Sequence, residues 1–128
     1  MLSQNSFAGK AEFKITYRNK PHDEITADSF IFDKQFFNVL DDRGYTVLDI
    51  IYPEPTVDGS YEFKYEKGMP GFVRVLFNYK GESHELIGTV KVKVSDEGDH
   101  QTLTFDTTYE FQGRPYGLTG TADAKFKP

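Results

Sequence analysis

Tyrosines and histidines are the residues of this chain best placed to do chemistry. Tyr17, Tyr61, Tyr65, Tyr79, Tyr109 and Tyr116 all fall in phase with the apolar positions around them, so an alternating fold turns them inward. A phenol hydroxyl buried without a partner costs about 1–3 kcal/mol, and a plain core is made more cheaply from Leu and Ile. An interior rich in tyrosine is therefore aromatic with polar points, as a small-molecule cavity is. His84 shares the phase of Leu86 and Val90 just after a turn, with Phe111 ahead of the next such turn. His22 and Tyr116 hold matching places after two other turns, so the three could ring one end of a barrel as hydrogen-bonding or acid–base groups. The expected ligand-binding set is Tyr17, Tyr61, Tyr65, Tyr79, His84, Tyr109, Phe111 and Tyr116, with no catalytic residue assigned.

Other chemistries find little support. Two histidines with Glu24 or Glu85 would need a third converging ligand, and no short His spacing points to a metal site. His100, beside Asp99, reads as a solvated turn residue. The acids at Asp41–Asp42 and at Asp96, Glu97 and Asp99 lack the calcium-loop pattern and read as turns. The chain has no cysteine, so disulfides, thiolate metal sites and a cysteine nucleophile are absent. No Gly-x-Ser-x-Gly or phosphate-loop motif occurs on a strand–turn–helix. No cofactor is expected.

The formal net charge is −5, with Lys and Arg scattered singly, which disfavours nucleic acid and anionic lipid as partners. No stretch approaches the ~20 apolar residues of a membrane helix. The N-terminus lacks the pattern of a signal peptide. A cytoplasmic location is expected, and the composition is equally compatible with secretion after removal of a signal.

The elements that must position these side chains are strands. The chain has 128 residues, 38% of them hydrophobic, with 12 Phe, 8 Tyr and no Trp, enough for one domain with a real core. Residues 1–8 are read as an N-terminal arm. Alternation with period two marks strands over 11–18, 60–66, 71–80, 84–94, 101–112 and 115–126. The stretch 45–52, apolar on both faces, is expected to be covered on both sides or to form the seam of a homodimer. Over 24–40 the phase slips near Asp28–Ser29, as at a bulge. From Asp33 to Leu40 the chain is either a bent continuation or a helical turn or two.

Residues 79–94 and 111–126 align without a gap: Gly81 with Gly113, Leu86 with Leu118, Gly88 with Gly120, Thr89 with Thr121 and Lys93 with Lys125. A fainter copy begins at Tyr17, pairing His22 with His84. The repeat is expected to be one of hairpins. Its inward small residues, Gly88, Gly120, Ala122 and Ala124, leave space either for facing rings or for a ligand.

Counting 24–40 as one bent element gives eight strands, joined by short connections. The expected fold is all-β, an antiparallel up-and-down barrel of about eight strands, with a two-sheet sandwich as the alternative. In such a meander the corners at 19–22, 80–83, 112–115 and 53–59 share one end. Splitting 24–40 into two full strands would move the first corner to the other.

At Gly113, Arg114, Tyr116, Gly117, Leu118, Thr119 and Gly120 the chain resembles the Gly-Leu-Thr-Gly strand of small calycin-like barrels, among them the allene-oxide-cyclase-like group and the spirotetronate cyclases. The resemblance implies an eight-stranded barrel that holds apolar ligands and, in some members, cyclises them by confinement. It carries over no catalytic residue. Three functions follow as expectations: binding of a small, largely apolar or aromatic molecule; a cyclase or isomerase acting by confinement; or a sandwich-type interaction module, such as an inhibitor, immunity or adhesion unit, working through 45–52.

Overall fold

The structure, a computed structural model, describes residues 6–71 and 73–128. Among these lie eleven strands: β1 (Phe7–Tyr17), β2 (Lys20–Ala27), β3 (Ser29–Phe32), β4 (Phe36–Leu40), β5 (Thr46–Ile51), β6 (Gly59–Tyr65), β7 (Arg74–Tyr79), β8 (Glu82–Glu85), β9 (Ile87–Ser95), β10 (His100–Phe111) and β11 (Arg114–Phe126). They form two antiparallel sheets, ordered β2-β1-β11-β10-β9-β6 and β3-β4-β5-β7-β8. The fold is all-β and sandwich-like, and neither sheet closes into a barrel. Of the expected arm, residues 1–5 lie outside the described residues, while Phe7 and Ala8 begin β1 opposite Phe126 and Lys125.

Three features depart from the eight-strand meander. First, 24–40 is not one element. The phase slip at Asp28 separates β2 from β3 and carries the chain from the six-stranded to the five-stranded sheet. A tight turn then reverses it into β4, because the Asp33 carboxylate accepts from the amides of Gln35 (2.7 Å) and Phe36 (3.2 Å). That carboxylate makes a turn, not a helix cap. Second, β5 pairs with β7 rather than with β6, and β6 crosses to the other sheet to pair with β9. Gly59 stands opposite Val94, so the 53–58 corner sits with the 96–99 turn, where Asp58 accepts from the amides of Glu97 and Gly98 at 2.9 Å. It is at the opposite end from the hairpin corners, not with them. Third, the strand expected over 84–94 breaks at Leu86 into β8 and β9, which lie in different sheets.

The core between the sheets is filled. Phe13, Phe30, Phe37, Phe77 and Phe105 are fully buried with Ile15, Leu48, Ile50, Leu86, Leu103 and Leu118. At Gly120 a Cβ would lie 2.1 Å from the Glu12 carbonyl oxygen and 2.9 Å from Cδ1 of Phe13. The missing side chain there makes room for a neighbouring strand and its ring. At Gly88, with φ of 137°, a Cβ would meet the Asp106 carbonyl oxygen at 2.3 Å. The glycine lies two residues after Leu86, where the chain passes from β8 into β9 and the Leu86 amide donates to the Val75 carbonyl (2.9 Å).

One end of the sandwich is sealed by polar groups that satisfy each other. Gln101 is 0% exposed, accepts the Tyr52 hydroxyl at 2.6 Å and donates to the Asp33 carbonyl at 2.9 Å. Tyr52 closes the apolar run 45–52, whose strand is central in its sheet and alternates between buried Leu48 and Ile50 and half-exposed Asp49 and Ile51. Burial pushes the Tyr52 and Tyr65 phenols well above their ordinary range.

Candidate functional site

The other end is built by three hairpins. Each turn has two residues, both with positive φ: Arg18–Asn19, Lys80–Gly81 and Gln112–Gly113. That conformation matches the twist of paired strands, which is why tight hairpins use it. An aromatic residue precedes each turn (Tyr17, Tyr79 and Phe111), and the same register places Phe77 opposite His84 and Tyr109 opposite Tyr116. The sequence repeat is thus a repeat of hairpins, and all three turns stand at one end.

The first hairpin differs by one residue. Thr16 pairs with Pro21 but Ile15 pairs with Asp23, so His22 is an extra residue in β2, a β-bulge. The bulge brings two consecutive side chains to the same region. The His22 ring packs edge-on against Tyr116 (5.4 Å between centroids), and the Asp23 carboxylate accepts the Tyr79 hydroxyl.

These elements enclose a pocket of about 280 Å³. Its walls are aromatic: Tyr79, Tyr109, Phe111 and Tyr116, with His84 and His22. Lys80 and Glu82 stand at its edge. Tyr109 and Tyr116 stack in parallel, 5.4 Å apart with 10° between planes. The His84 ring lies 4.7 Å from that of Tyr109 and perpendicular to Phe111 at 5.6 Å. Each such ring pair is worth about 0.5–1.5 kcal/mol beyond its buried area. Tyr17 lies just outside, its ring 4.9 Å from Tyr116 and covered by the Arg18 guanidinium at 5.3 Å.

His84 is only 8% exposed, and among the described residues its ring nitrogens have no hydrogen-bond partner. Burial, then the hydrogen bond to Asp23, raises the Tyr79 phenol to about 12. Burial, then the neighbouring Tyr116 and Asp23, raises Tyr109 to about 12. The Tyr79 hydrogen bond, helped by the Glu24 amide and by Lys80 and His22, lowers the Asp23 carboxyl below its usual value.

Of the residues expected from sequence, Tyr79, His84, Tyr109, Phe111 and Tyr116 come together here, with Tyr17 alongside. Tyr61 and Tyr65 stand elsewhere. The Tyr61 hydroxyl is engaged by the backbone of Val57 at 2.8 Å, and that of Tyr65 donates to the Ile51 carbonyl at 3.0 Å. Sequence reasoning passed over Asp23, although it shares the phase of Ile25 and Ala27. The repeat drew attention to His22 instead, and the bulge is what allows both to serve. Among the described residues no cluster of His, Cys, Asp or Glu could hold a metal ion, and no helix is long and apolar enough to cross a membrane. No family model, no curated protein and no solved structure matches this chain.

Proposed function

We propose that the protein binds a small, largely apolar or aromatic molecule in the pocket at the hairpin end. The observation that carries this reading is the convergence of Tyr79, His84, Tyr109, Phe111 and Tyr116 on one pocket, with the His84 ring nitrogens accessible and without a hydrogen-bond partner among the described residues. Confined turnover in the same pocket would need, beyond shape and donors, a proton shuttle at a reacting atom, so binding is the simpler reading. At about 280 Å³ the pocket stands just below the usual ligand-site range of roughly 300–1,000 Å³, which suits a molecule of one or two rings.

The calycin-like reading of the fold is supported by a circuit of neighbours: β1, then β2 bending into β3, β4, β5, β7, then β8 bending into β9, β10, β11 and back to β1. Asp28 and Leu86 are its corners, and β6 is an addition beside β9.

The test is native mass spectrometry of protein purified from its own host, followed by titration with two-ring aromatic probes. A retained small molecule, or saturable binding that Tyr116→Ala and His84→Ala weaken at least tenfold, supports the reading. Absence of both overturns it.

A second reading makes the outer face of the five-stranded sheet the seam of a homodimer. On this face Ile31 is 46% exposed, Phe36, Ile51 and Leu76 are half-buried, and the Arg74 guanidinium meets the Asp49 carboxylate at 3.1 Å. Asn38 Oδ1 and Arg74 Nε are buried there without a partner among the described residues. A two-fold axis passing between Asp49 and Arg74 would set each against its opposite in a second copy, which would make the face complementary to itself. Sedimentation velocity decides it: a dimer that Leu76→Lys dissociates supports the seam, and a monomer at high concentration removes it.

A further inference from the structure

Resting on the binding reading above, we infer that the ligand presents a neutral carbonyl oxygen, held between the hydroxyls of Tyr109 and Tyr116 with the His84 imidazole beside them. The inward phenols divide by how their hydroxyls are used. The hydroxyls of Tyr52, Tyr61, Tyr65 and Tyr79 all have protein partners: Gln101, Val57, Ile51 and Asp23. Among the described residues the hydroxyls of Tyr17, Tyr109 and Tyr116 have none; Tyr17 lies outside the pocket, whereas Tyr109 and Tyr116 line it and Tyr109 is only 4% exposed. Tyr109 and Tyr116 stand directly opposite each other on β10 and β11, with ring centroids 5.4 Å apart and planes nearly parallel, so both phenols serve the same wall of the pocket. Both residues line the pocket.

Two adjacent O–H donors suit one oxygen with two lone pairs. The Tyr109 phenol is held up at about 12, so it stays protonated and able to donate throughout the ordinary pH range. The charges around the pocket select among acceptors. The lining carries one carboxylate, Glu82, and one ammonium, Lys80, which lies over the Tyr79 ring at 5.3 Å; just outside stand one more of each sign, the Asp23 carboxylate held by Tyr79 and the Arg18 guanidinium over Tyr17. With the charges matched, the surroundings offer a ligand no excess of either sign and favour an uncharged acceptor. Stacked ring walls call for a planar body, so an aromatic ketone, aldehyde or quinone fits the chemistry.

Four probes of one shape separate the possibilities: 2-acetonaphthone, 2-ethylnaphthalene, 2-naphthoate and 2-naphthylmethylamine, titrated calorimetrically. The ketone is expected to bind about tenfold tighter than the ethyl compound, the worth of two neutral hydrogen bonds. The Tyr109→Phe/Tyr116→Phe protein should lose that advantage and keep the affinity for ethylnaphthalene, with an unchanged melting profile as the check on folding. Equal affinity for ketone and ethyl compound, or tightest binding of the amine or the carboxylate, overturns the carbonyl inference while leaving the pocket intact. Failure of all four to bind overturns the pocket as well.

Discussion

The hydroxyl of Tyr79 donates to the carboxylate of Asp23, tying β7 of one sheet to β2 of the other across 56 positions of sequence. The two strands are not neighbours in either sheet, so the contact clamps the sandwich at its open end. If it holds the sheets together, Tyr79→Phe should destabilise the wild type more than it destabilises Asp23→Ala. Urea denaturation of the four proteins of that double-mutant cycle measures the difference. Equal costs in both backgrounds would mean that the clamp contributes nothing.

Alkaline pH should loosen the same end. The folded-state values of Tyr79 and Tyr109 are raised to about 12 from 10.0, so between those values the folded protein holds protons that the unfolded chain releases. Their contribution to stability is complete below pH 10 and is lost as pH rises toward 12. Asp23 works in the other direction: its value is lowered from 3.8, so its contribution is present above that and lost as pH falls through the folded value. Denaturation midpoints across the alkaline range should decline for the wild type and stay flatter for Tyr79→Phe/Tyr109→Phe.

The sealed end should respond to mutation without any effect on the pocket. Gln101→Leu strands both the Tyr52 hydroxyl and the Asp33 carbonyl, and is expected to cost about 2–4 kcal/mol. Tyr52→Phe strands only one side-chain acceptor and should cost about 1–2 kcal/mol. Chemical denaturation gives both numbers, and probe affinity at the hairpin end should not move.

Two glycines of the opening repeat should behave differently. Gly120→Ala drives a methyl group onto the Glu12 carbonyl oxygen, and overpacking of this kind costs about 1–3 kcal/mol or more. Gly113→Ala meets no atom but must hold φ of 74°, a penalty of about 1–2 kcal/mol. Gly113→Asn should cost less than Gly113→Ala, because asparagine tolerates that conformation; no polar replacement at Gly120 should be better tolerated than alanine.

Much of this arrangement was written locally. Alternation at Phe13, Ile15 and Tyr17 and at Val90, Val92 and Val94 reports burial on one face, and Lys80–Gly81 and Gln112–Gly113 announce their turns. The repeat therefore placed Tyr79, His84, Phe111 and Tyr116 together. Sheet membership was not local. Nothing in Gly59–Tyr65 distinguishes pairing with β7 from pairing with β9, since both offer the same period and the choice is made by packing across the sandwich. The break at Asp28 was visible as a phase slip, yet a slip does not say whether the chain merely bulges or changes sheets. Asp23 was legible in principle from the phase of Ile25 and Ala27, but a carboxylate on an inward face reads as an error until its partner, 56 residues away, is known.

The bulge in β2 also bears on how such a pocket can change over time. With the Arg18–Asn19 turn fixed, His22 is surplus to the ladder, and deleting it would leave Thr16↔Pro21, Ile15↔Asp23 and every later pair in place. One codon gained or lost would add or remove the ring over Tyr116 while Asp23 keeps its hold on Tyr79. At this corner the lining is adjustable by chain length, and descendants of one ancestral pocket could diverge in what they accept without altering a single residue of the core.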